Sequence, residues 1–459
     1  MVTTPNPISL KTKIQQLLEE AESFHQKGTP DSLHQAVTTV DEGLALIPQL
    51  PAYERHQSHF IEANLWLVRG NATRDLASDT FEDTLKSYRK GLAALEGKSR
   101  GTTPVELQLP ANLWTNCGIT LLRTGSHANL REAISCFDKA IGIRDSLPKD
   151  MHNVLWGLAA GWMNRGDAFM QQGTAVTAAE AVVSYDHALS ALKELATFDH
   201  PPFVIRYAVC WMNRGHALMS TGNAEVRQEA LTSLESSRDT LRNSPTPNDP
   251  EHLCTLACVQ MSHASIVFAD QTQLSIERSR SEVQEALLLV APFEEAEPFA
   301  AEISLKSRHL FCRILATLLD KSGPAAPEFD DWINEVTDVV DDGMKLERSW
   351  ELRGLPDFRP LACELFRFGC RVFLIRQPHF LAEFILDSLD PERSEGAPVT
   401  SREIHHVASA CIWDAALEIE RRSKQPENAG AHGRFIELLN ELHEADSRLA
   451  VLRQTHLAQ

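Results

Sequence analysis

The chain has 459 residues, and its 63 acidic against 44 basic residues give a formal net charge of −19 at pH 7. An acidic surface repels phosphate backbones and anionic lipids, so we expect neither a nucleic-acid nor a membrane partner. The N-terminal segment has no apolar core of secretory length, and no stretch approaches about 18 uninterrupted apolar residues. The composition therefore predicts a cytoplasmic protein.

Tryptophan and glycine recur together through the first half of the chain. Four tryptophans follow one another at intervals of 48, 48 and 49 residues, each with a glycine four positions later. The pairs are Trp66/Gly70, Trp114/Gly118, Trp162/Gly166 and Trp211/Gly215. A period of this size predicts stacked supersecondary units rather than one globule.

A second pattern alternates with the first at the same period. Its unit is a large residue with a small residue four positions before it and three after it, which places all three on one helical face. The units are Ala36/Val40/Gly43, Thr84/Tyr88/Gly91, Ala133/Phe137/Ala140, Ala181/Tyr185/Ala188, Ala230/Leu234/Ser237 and Ser279/Val283/Ala286. Two alternating stripes predict one helix pair per repeat, and Gly125, Gly173 and Gly222 are expected to cap the first helix of three pairs.

The clearest units are WMNRGDAFMQQG at 162–173 with AVVSYDHA at 181–188, and WTNCGITLLRTG at 114–125 with AISCFDKA at 133–140. Both resemble the helix pair of the tetratricopeptide repeat (TPR) family, over roughly residues 20–290. The resemblance implies an all-α, right-handed superhelical solenoid of antiparallel helix pairs. The family period is about 34 residues, so the longer period here predicts longer helices. Prolines between repeats are expected to end the second helix, and Val154 and Leu158 to lengthen the next first helix.

The repeat pattern weakens after about residue 290. We expect a TPR-like helical repeat array over residues 8–290, a degenerate repeat with an acidic segment over 291–350, and a degenerate helical C-terminal region over 351–459. In that region Leu365, Phe366 and Phe373 cover more than one face of a helix, which predicts burial on several sides. The region either continues the solenoid with diverged repeats or forms a small helical domain that makes an oligomer contact.

Acidic residues are concentrated between positions 294 and 342, with no basic residue from 328 to 342. Two interpretations stay open: a solvated helix face that aids solubility, or a dock for a basic partner. A contact made by such a patch would weaken as salt is added.

The sequence contains no constellation typical of catalysis. It has no glycine-rich phosphate loop, no His-Glu-x-x-His motif and no nucleophile elbow, so we expect no catalytic residue, no cofactor and no enzyme activity. Nine cysteines, an odd number, favour a reducing compartment. Cys254 and Cys258 lie near His252 and His263, but this spacing is not typical of zinc. We interpret the group as buried small residues and a surface histidine, and expect no metal site.

An asparagine recurs two positions after three of the tryptophans, at Asn116, Asn164 and Asn213. In TPR proteins the first helix lines the concave groove and this residue faces it, so the resemblance implies a ladder of amides able to pair with the backbone of an extended peptide. The predicted peptide-binding set adds polar neighbours one helical turn away: Asn64, Asn71, Asn112, Asn116, Asn164, Asp167, Asn213 and His216. The asparagine is common in the family whether or not peptide binds, so a structural role stays open.

The tryptophans and the arginines next to the repeated glycines are expected to be structural. Truncating one of the tryptophans should cost about 3–5 kcal/mol, as for other large core residues. Arg69, Arg165 and Arg214 are expected to lay their stems along the helix pair with their charged heads in water.

Two functions fit these observations. The first is a non-catalytic adaptor or scaffold that binds a peptide or helix of a protein partner, one that carries basic residues if the acidic segment is its dock. The alternative is an obligate structural subunit of a larger complex or homo-oligomer, with the oligomer contact made through the C-terminal helices.

Overall fold

The computed structural model describes residues 9–76, 81–98, 101–149, 151–195, 201–323, 325–351, 353, 358–376, 381–389, 402–424 and 432–457. These residues form α-helices joined by short turns, with no β-strand among them. The helices are α1 (Leu10–Lys27), α2 (Pro30–Leu46), α3 (Ala52–Gln57), α4 (His59–Leu76), α5 (Phe81–Leu95), α6 (Pro104–Leu122), α7 (His127–Asp145), α8 (His152–Gln171), α9 (Ala175–Leu195), α10 (Pro201–Ser220), α11 (Arg227–Arg242), α12 (Pro250–Phe268), α13 (Gln273–Val290), α14 (Pro298–Ser322), α15 (Phe329–Glu351), α16 (Arg359–Arg376), α17 (Leu381–Leu389), α18 (Arg402–Ser423) and α19 (His432–Leu457). None of the described helices is long and apolar enough to cross a membrane.

The predicted caps are confirmed. Gly125, Gly173 and Gly222 adopt the left-handed region, with φ of 64°, 71° and 71°, just after α6, α8 and α10. Only glycine reaches this region without steric cost, so each one ends its helix and reverses the chain. On the other side, Thr103 and Glu106 form a capping box that starts α6.

The prolines between repeats begin helices as well as end them, which corrects part of the prediction. Pro104 and Pro250 stand at the first positions of α6 and α12, where a missing N–H has no intrahelical partner to lose. Pro110 lies inside α6. The expected lengthening of the first helix is confirmed, since Val154 and Leu158 are buried in the first half of α8.

The two sequence patterns are the two sides of one helix contact. We call the helix with the Trp–Gly motif helix A and its partner with the small–large–small motif helix B. A Cβ added at Gly118 would lie 2.5 Å from the ring of Phe137, and one added at Gly166 would lie 2.7 Å from the ring of Tyr185. The ring of helix B therefore packs directly on the backbone of helix A, which confirms the predicted pairs.

The chain divides into two compact units, Met1–Thr240 and Leu241–Gln459. In the first unit α5, α7 and α9 each pack on their own helix A and on the next one, as α5 does on α4 and α6, and successive helices A, such as α4 and α6, also touch. Its buried residues form several successive clusters, each shared by neighbouring pairs. This is the contact pattern of a TPR-like helical solenoid.

The second unit begins with one more pair, α12 and α13, and continues into helices that share a single large core. Helix α16 contacts α14, α15, α17 and α18, and its Leu365, Phe366 and Phe373 are buried. The predicted burial of this helix on several sides is therefore confirmed. The three-part division at residues 290 and 350 stays a prediction.

Candidate peptide-binding surface

Polar side chains of neighbouring helices A meet where α4 faces α6. The amide of Asn116 donates to Asn71 Oδ1 at 3.0 Å, and the hydroxyl of Tyr88 donates to the same oxygen at 2.9 Å. Both asparagines are partly buried. The interaction joins three helices of two repeats, so Asn116 has a structural task whether or not it also meets a ligand.

The same arrangement recurs two repeats further on, with a carboxylate as the acceptor. Asp167 Oδ1 accepts from the hydroxyl of Tyr185 at 2.6 Å and from the amide of Asn213 at 3.3 Å. Burial raises the pKa of Asp167, while the two hydrogen bonds act in the opposite direction. Among the described residues Asp167 has no cationic partner, so hydrogen bonds from two neutral groups are all that stabilises its carboxylate.

Asn164 differs from the asparagines on either side of it. The position that would supply its acceptor, five residues after the preceding tryptophan, is Ile119. Within the part of the chain that the structure describes, the side chain of Asn164 makes no hydrogen bond, and it is partly exposed on α8. Asn164 thus keeps a free donor and a free acceptor in the middle of the predicted ladder.

The remaining predicted residues are spread along the same helices. Asn112 Oδ1 accepts from Arg144 Nη2 at 2.8 Å, so it faces the end of α7. Asn64 and His216 are partly buried on α4 and α10. The structure thus joins four of the eight predicted residues in two inter-repeat pairs, and whether the set binds peptide stays a prediction.

The four repeated tryptophans are half-buried, and over three of them helix B places a cation or an imidazole. Lys90 Nζ lies 4.3 Å from the ring centroid of Trp66, and Lys139 Nζ lies 4.0 Å from that of Trp114. At the equivalent position of the next repeat, the ring of His187 stacks on Trp162 at 4.4 Å. Sequence reasoning missed these partners, although all three stand two residues after the large residue of helix B.

The arginines next to the repeated glycines do not extend into water, which corrects the prediction. Only 17% of the Arg165 side chain is exposed: its Nε donates to Asp138 of the preceding helix B at 2.8 Å, and its Nη1 to Ser184 of its own helix B at 2.7 Å. Arg69 and Arg214 form the same bridge, to Asp41 with Ser87 and to Asp186 with Ser233. In each case the acid directly follows the large residue of the preceding helix B, and the serine directly precedes the large residue of the arginine's own helix B. The arginine therefore links two successive repeats.

The second Trp repeat lacks this bridge and has its own substitute. Cys117 stands at the arginine position and Cys136 at the serine position, and burial raises their thiol pKa values to about 12 and about 11. The place of the acid is taken by Arg89, whose Nη2 donates to Glu132 at 2.6 Å. In this repeat the arginine that links the two helices B therefore belongs to the preceding helix B, α5, whereas in the other three Trp repeats it belongs to helix A.

The histidine–cysteine group in α12 is buried, which corrects the expectation of a surface histidine. His252 Nε2 lies 2.7 Å from Ser244 Oγ, and His263 Nδ1 lies 2.7 Å from Glu282 Oε2. Both histidines are 1% exposed, and each is engaged by a residue outside the group. Among the described residues, no three His, Cys, Asp or Glu side chains are placed to hold a metal ion.

The acidic segment is partly neutralised within the second unit. Glu294 pairs with Arg308 at 2.9 Å, and Glu335 pairs with Arg280 at 2.6 Å. Asp330 on α15 is exposed. A share of the acidic charge thus serves contacts within the unit, while Asp330 faces solvent.

No protein-family model matches the chain, and no curated protein matches it. Among solved structures, a Rap protein complexed with competence and sporulation factor is similar at 14% identity and a TM-score of 0.42, over 97% of this chain and 99% of that one. The apo quorum sensor NprR from B. thuringiensis gives 12% and 0.47, over 95% and 98%. The nearly identical TPR-like repeats of a Podosopora anserina kinesin light chain give 14% and 0.38, over 52% and 100%. These values are too low to carry a function to this chain. The helix pairs themselves define the class, an all-α protein of TPR-like repeats.

Proposed function

We propose that the chain is a non-catalytic adaptor that binds a peptide or helix of a protein partner along the helices A of its first unit. The observation that carries this proposal is the stripe formed on α8 by Asn153, Gly157, Ala160, Asn164 and Asp167. These residues are spaced three or four apart, so they lie on one face of the helix, and all are partly or fully exposed.

The stripe has the properties of a surface that receives a peptide backbone. Ala160 offers little side-chain bulk, so a peptide can approach closely there, whereas the side chain of Arg144 fills the space beside Gly157. Asn164 presents an unbonded donor and acceptor, and Asp167 a carboxylate that lacks a cation. Unused hydrogen-bonding groups beside small residues favour an extended chain, whose own N–H and C=O groups need partners.

The location of the protein is part of the proposal. The nine cysteines, all of which lie in the described part of the chain, form no disulfide. Thiols of this number outside disulfides are typical of a reducing compartment, which supports a cytoplasmic adaptor. The net charge of −19 supports a protein partner over nucleic acid or an anionic membrane.

A blocked stripe tests the proposal. The double variant A160R/N164A places a long charged side chain on the stripe and removes the free amide, without touching the inter-repeat bonds of Asn116 or Asn213. We expect it to keep wild-type helicity and to lose the partners that the wild-type chain captures from lysate, as quantified by mass spectrometry. The control is A179R, which adds the same charge at an exposed position of α9.

Recovery of the same partners in the same yield by A160R/N164A would rule out the stripe as the binding surface. Loss of those partners by A179R as well would mean that added charge, rather than the stripe, decides capture. The experiment thus compares an added arginine on the stripe with an added arginine at an exposed position of α9.

One observation favours the alternative of an oligomeric structural subunit. On α18 the side chains of Trp413 and Leu417 are 62% and 63% exposed, one helical turn apart. Adjacent exposed apolar residues of this size are typical of a surface that another chain covers. Light scattering decides: a dimer or larger species that W413E/L417E converts to a monomer supports this role, whereas a wild-type monomer contradicts self-association.

A further inference from the structure

The first and third Trp repeats have different residues at one equivalent position. Five positions after the tryptophan, α4 has Asn71 and α8 has Asp167. In both, the side-chain oxygen Oδ1 accepts one hydrogen bond from the tyrosine of its own helix B and one from the asparagine of the next helix A. A neutral amide is therefore sufficient for the contact between repeats, and this contact does not explain the negative charge of Asp167.

The charge of Asp167 is a cost to the folded protein. The side chain is partly buried, and burial raises its pKa, although the bonds from Tyr185 and Asn213 act in the opposite direction. Within the described residues no arginine, lysine or histidine pairs with it. A residue that weakens the folded state without a structural gain is expected at a functional position rather than in plain scaffolding.

The second oxygen of the Asp167 carboxylate is open to a ligand. Both hydrogen bonds go to Oδ1, and Oδ2 makes none among the described residues. Oδ2 is not one of the buried polar atoms that lack a partner, so it stays in contact with solvent. Because the two bonds to Oδ1 already orient the carboxylate, a bound cation would meet a preorganised acceptor.

Asn164 supplies a second open acceptor one helical turn away. It stands three positions before Asp167 on α8, a spacing that places two side chains beside each other with about 5–6 Å between their Cβ atoms. Within the described residues the side chain of Asn164 makes no hydrogen bond, so its Oδ1 is open as well. A ligand group with several N–H donors can bond to both residues at once, whereas a group with one donor cannot.

We propose that Asp167 and Asn164 form a subsite for a basic side chain, Lys or Arg, of the peptide bound along the α8 stripe. This inference rests on the proposed function and names the residue type that the stripe selects. An ammonium has three donors and a guanidinium five, which is enough to reach both acceptors. The positive charge would also offset the cost of burying the carboxylate.

A basic side chain is the occupant that the surroundings favour. A neutral donor such as a hydroxyl would leave the charge of Asp167 uncompensated. The net charge of −19 attracts a basic segment to the whole surface, and the subsite would then decide which of its residues docks. A free peptide amino terminus has the same ammonium chemistry, so the experiment must distinguish it from a side chain.

The test begins with two peptide libraries, one with acetylated and one with free amino termini. Random dodecapeptides with amidated C-termini are selected against the full-length wild-type chain, and we expect Lys or Arg to be enriched at one position of the acetylated peptides. The best acetylated peptide is then compared with the same peptide carrying Gln at that position. By fluorescence anisotropy the Gln peptide should bind about tenfold more weakly, the size of one charge-assisted hydrogen bond.

The variant D167N locates the effect, because Asn71 shows that an amide accepts the same two hydrogen bonds. In D167N the difference between the basic and the Gln peptide should fall below about twofold, while the Gln peptide binds both proteins alike. A structural defect would instead weaken both peptides equally. The control E42Q removes one negative charge from an exposed position of α2 and should keep the tenfold difference.

The outcomes separate the subsite from the peptide-binding function. Peptides selected without a basic preference, or a preference that D167N leaves intact, overturn the subsite while the function stands. Binding only by peptides with a free amino terminus would assign the site to a terminal ammonium and contradict the side-chain proposal. Failure to select any peptide from either library overturns the binding function and the subsite with it.

Discussion

At the scale of single residues, Asp167 shows how one substitution between repeats changes the balance of charge. In the first Trp repeat the same position is Asn71, and both residues accept from a tyrosine hydroxyl and from the asparagine of the next helix A. An asparagine therefore satisfies the same two donors without a charge. Burial raises the pKa of Asp167, so its ionised form weakens the folded state.

The variant D167N should be more stable than the wild-type protein at neutral pH. A carboxyl group whose pKa is raised by folding contributes stability below its unfolded pKa of about 3.9, and this contribution is lost as pH rises through the folded pKa. The gain from D167N should thus be present at pH 7.5 and shrink towards pH 4. Urea unfolding at several pH values measures it, and a gain that is the same at every pH would contradict the assignment.

At the scale of helices, the sequence predicted the pairs because the close contact between them needs a glycine against a ring. The glycine recurs every 48 or 49 residues in the four Trp repeats, and the ring in three of them, so a single sequence is enough to detect them. The arginine bridge was not predicted, because its three members come from three helices and only the packed structure brings Arg165, Asp138 and Ser184 together. The Asn116–Asn71 bond was missed for the same reason: spacing predicts a shared face but not which neighbour a polar group chooses.

The contact between α6 and α7 can be tested with two glycines. In G118A the new methyl group would lie 2.5 Å from the Phe137 ring, so the helices must separate, and we expect a loss of about 1–3 kcal/mol in the free energy of unfolding. The control G142A lies in α7 with no atom within 4 Å of the added Cβ. It should be neutral or gain about 0.5–1 kcal/mol, because alanine restricts the unfolded chain. Equal losses in both variants would mean that helix contact is not the cause.

At the scale of the whole molecule, the first unit is a series of clusters while the second gathers α14 to α19 around one core. The sequence indicates this difference. The Trp–Gly and small–large–small patterns weaken after about residue 290, and the apolar residues of α16 lie on several faces of the helix. The sequence does not predict where one compact unit ends, because the helix pair α12 and α13 keeps the repeat pattern beyond Thr240. The repeat pattern in the sequence predicts how one helix pair packs on the next. Where a compact unit ends depends instead on the sum of the contacts in the folded chain.

The variant Y185A tests how far damage travels. It removes a fully buried ring that packs on Gly166 and a hydroxyl that donates to Asp167, so we expect a local loss of about 3–5 kcal/mol. Because the cluster around Tyr185 is shared by α7 to α10, amide hydrogen exchange should accelerate in those four helices. The helices α14 to α19, whose core includes residues of α12 and α13 but none of α7 to α10, should keep their wild-type exchange rates. Uniform acceleration through both units would show that the chain unfolds as one cooperative body, and the description as neighbour-coupled repeats would then be wrong.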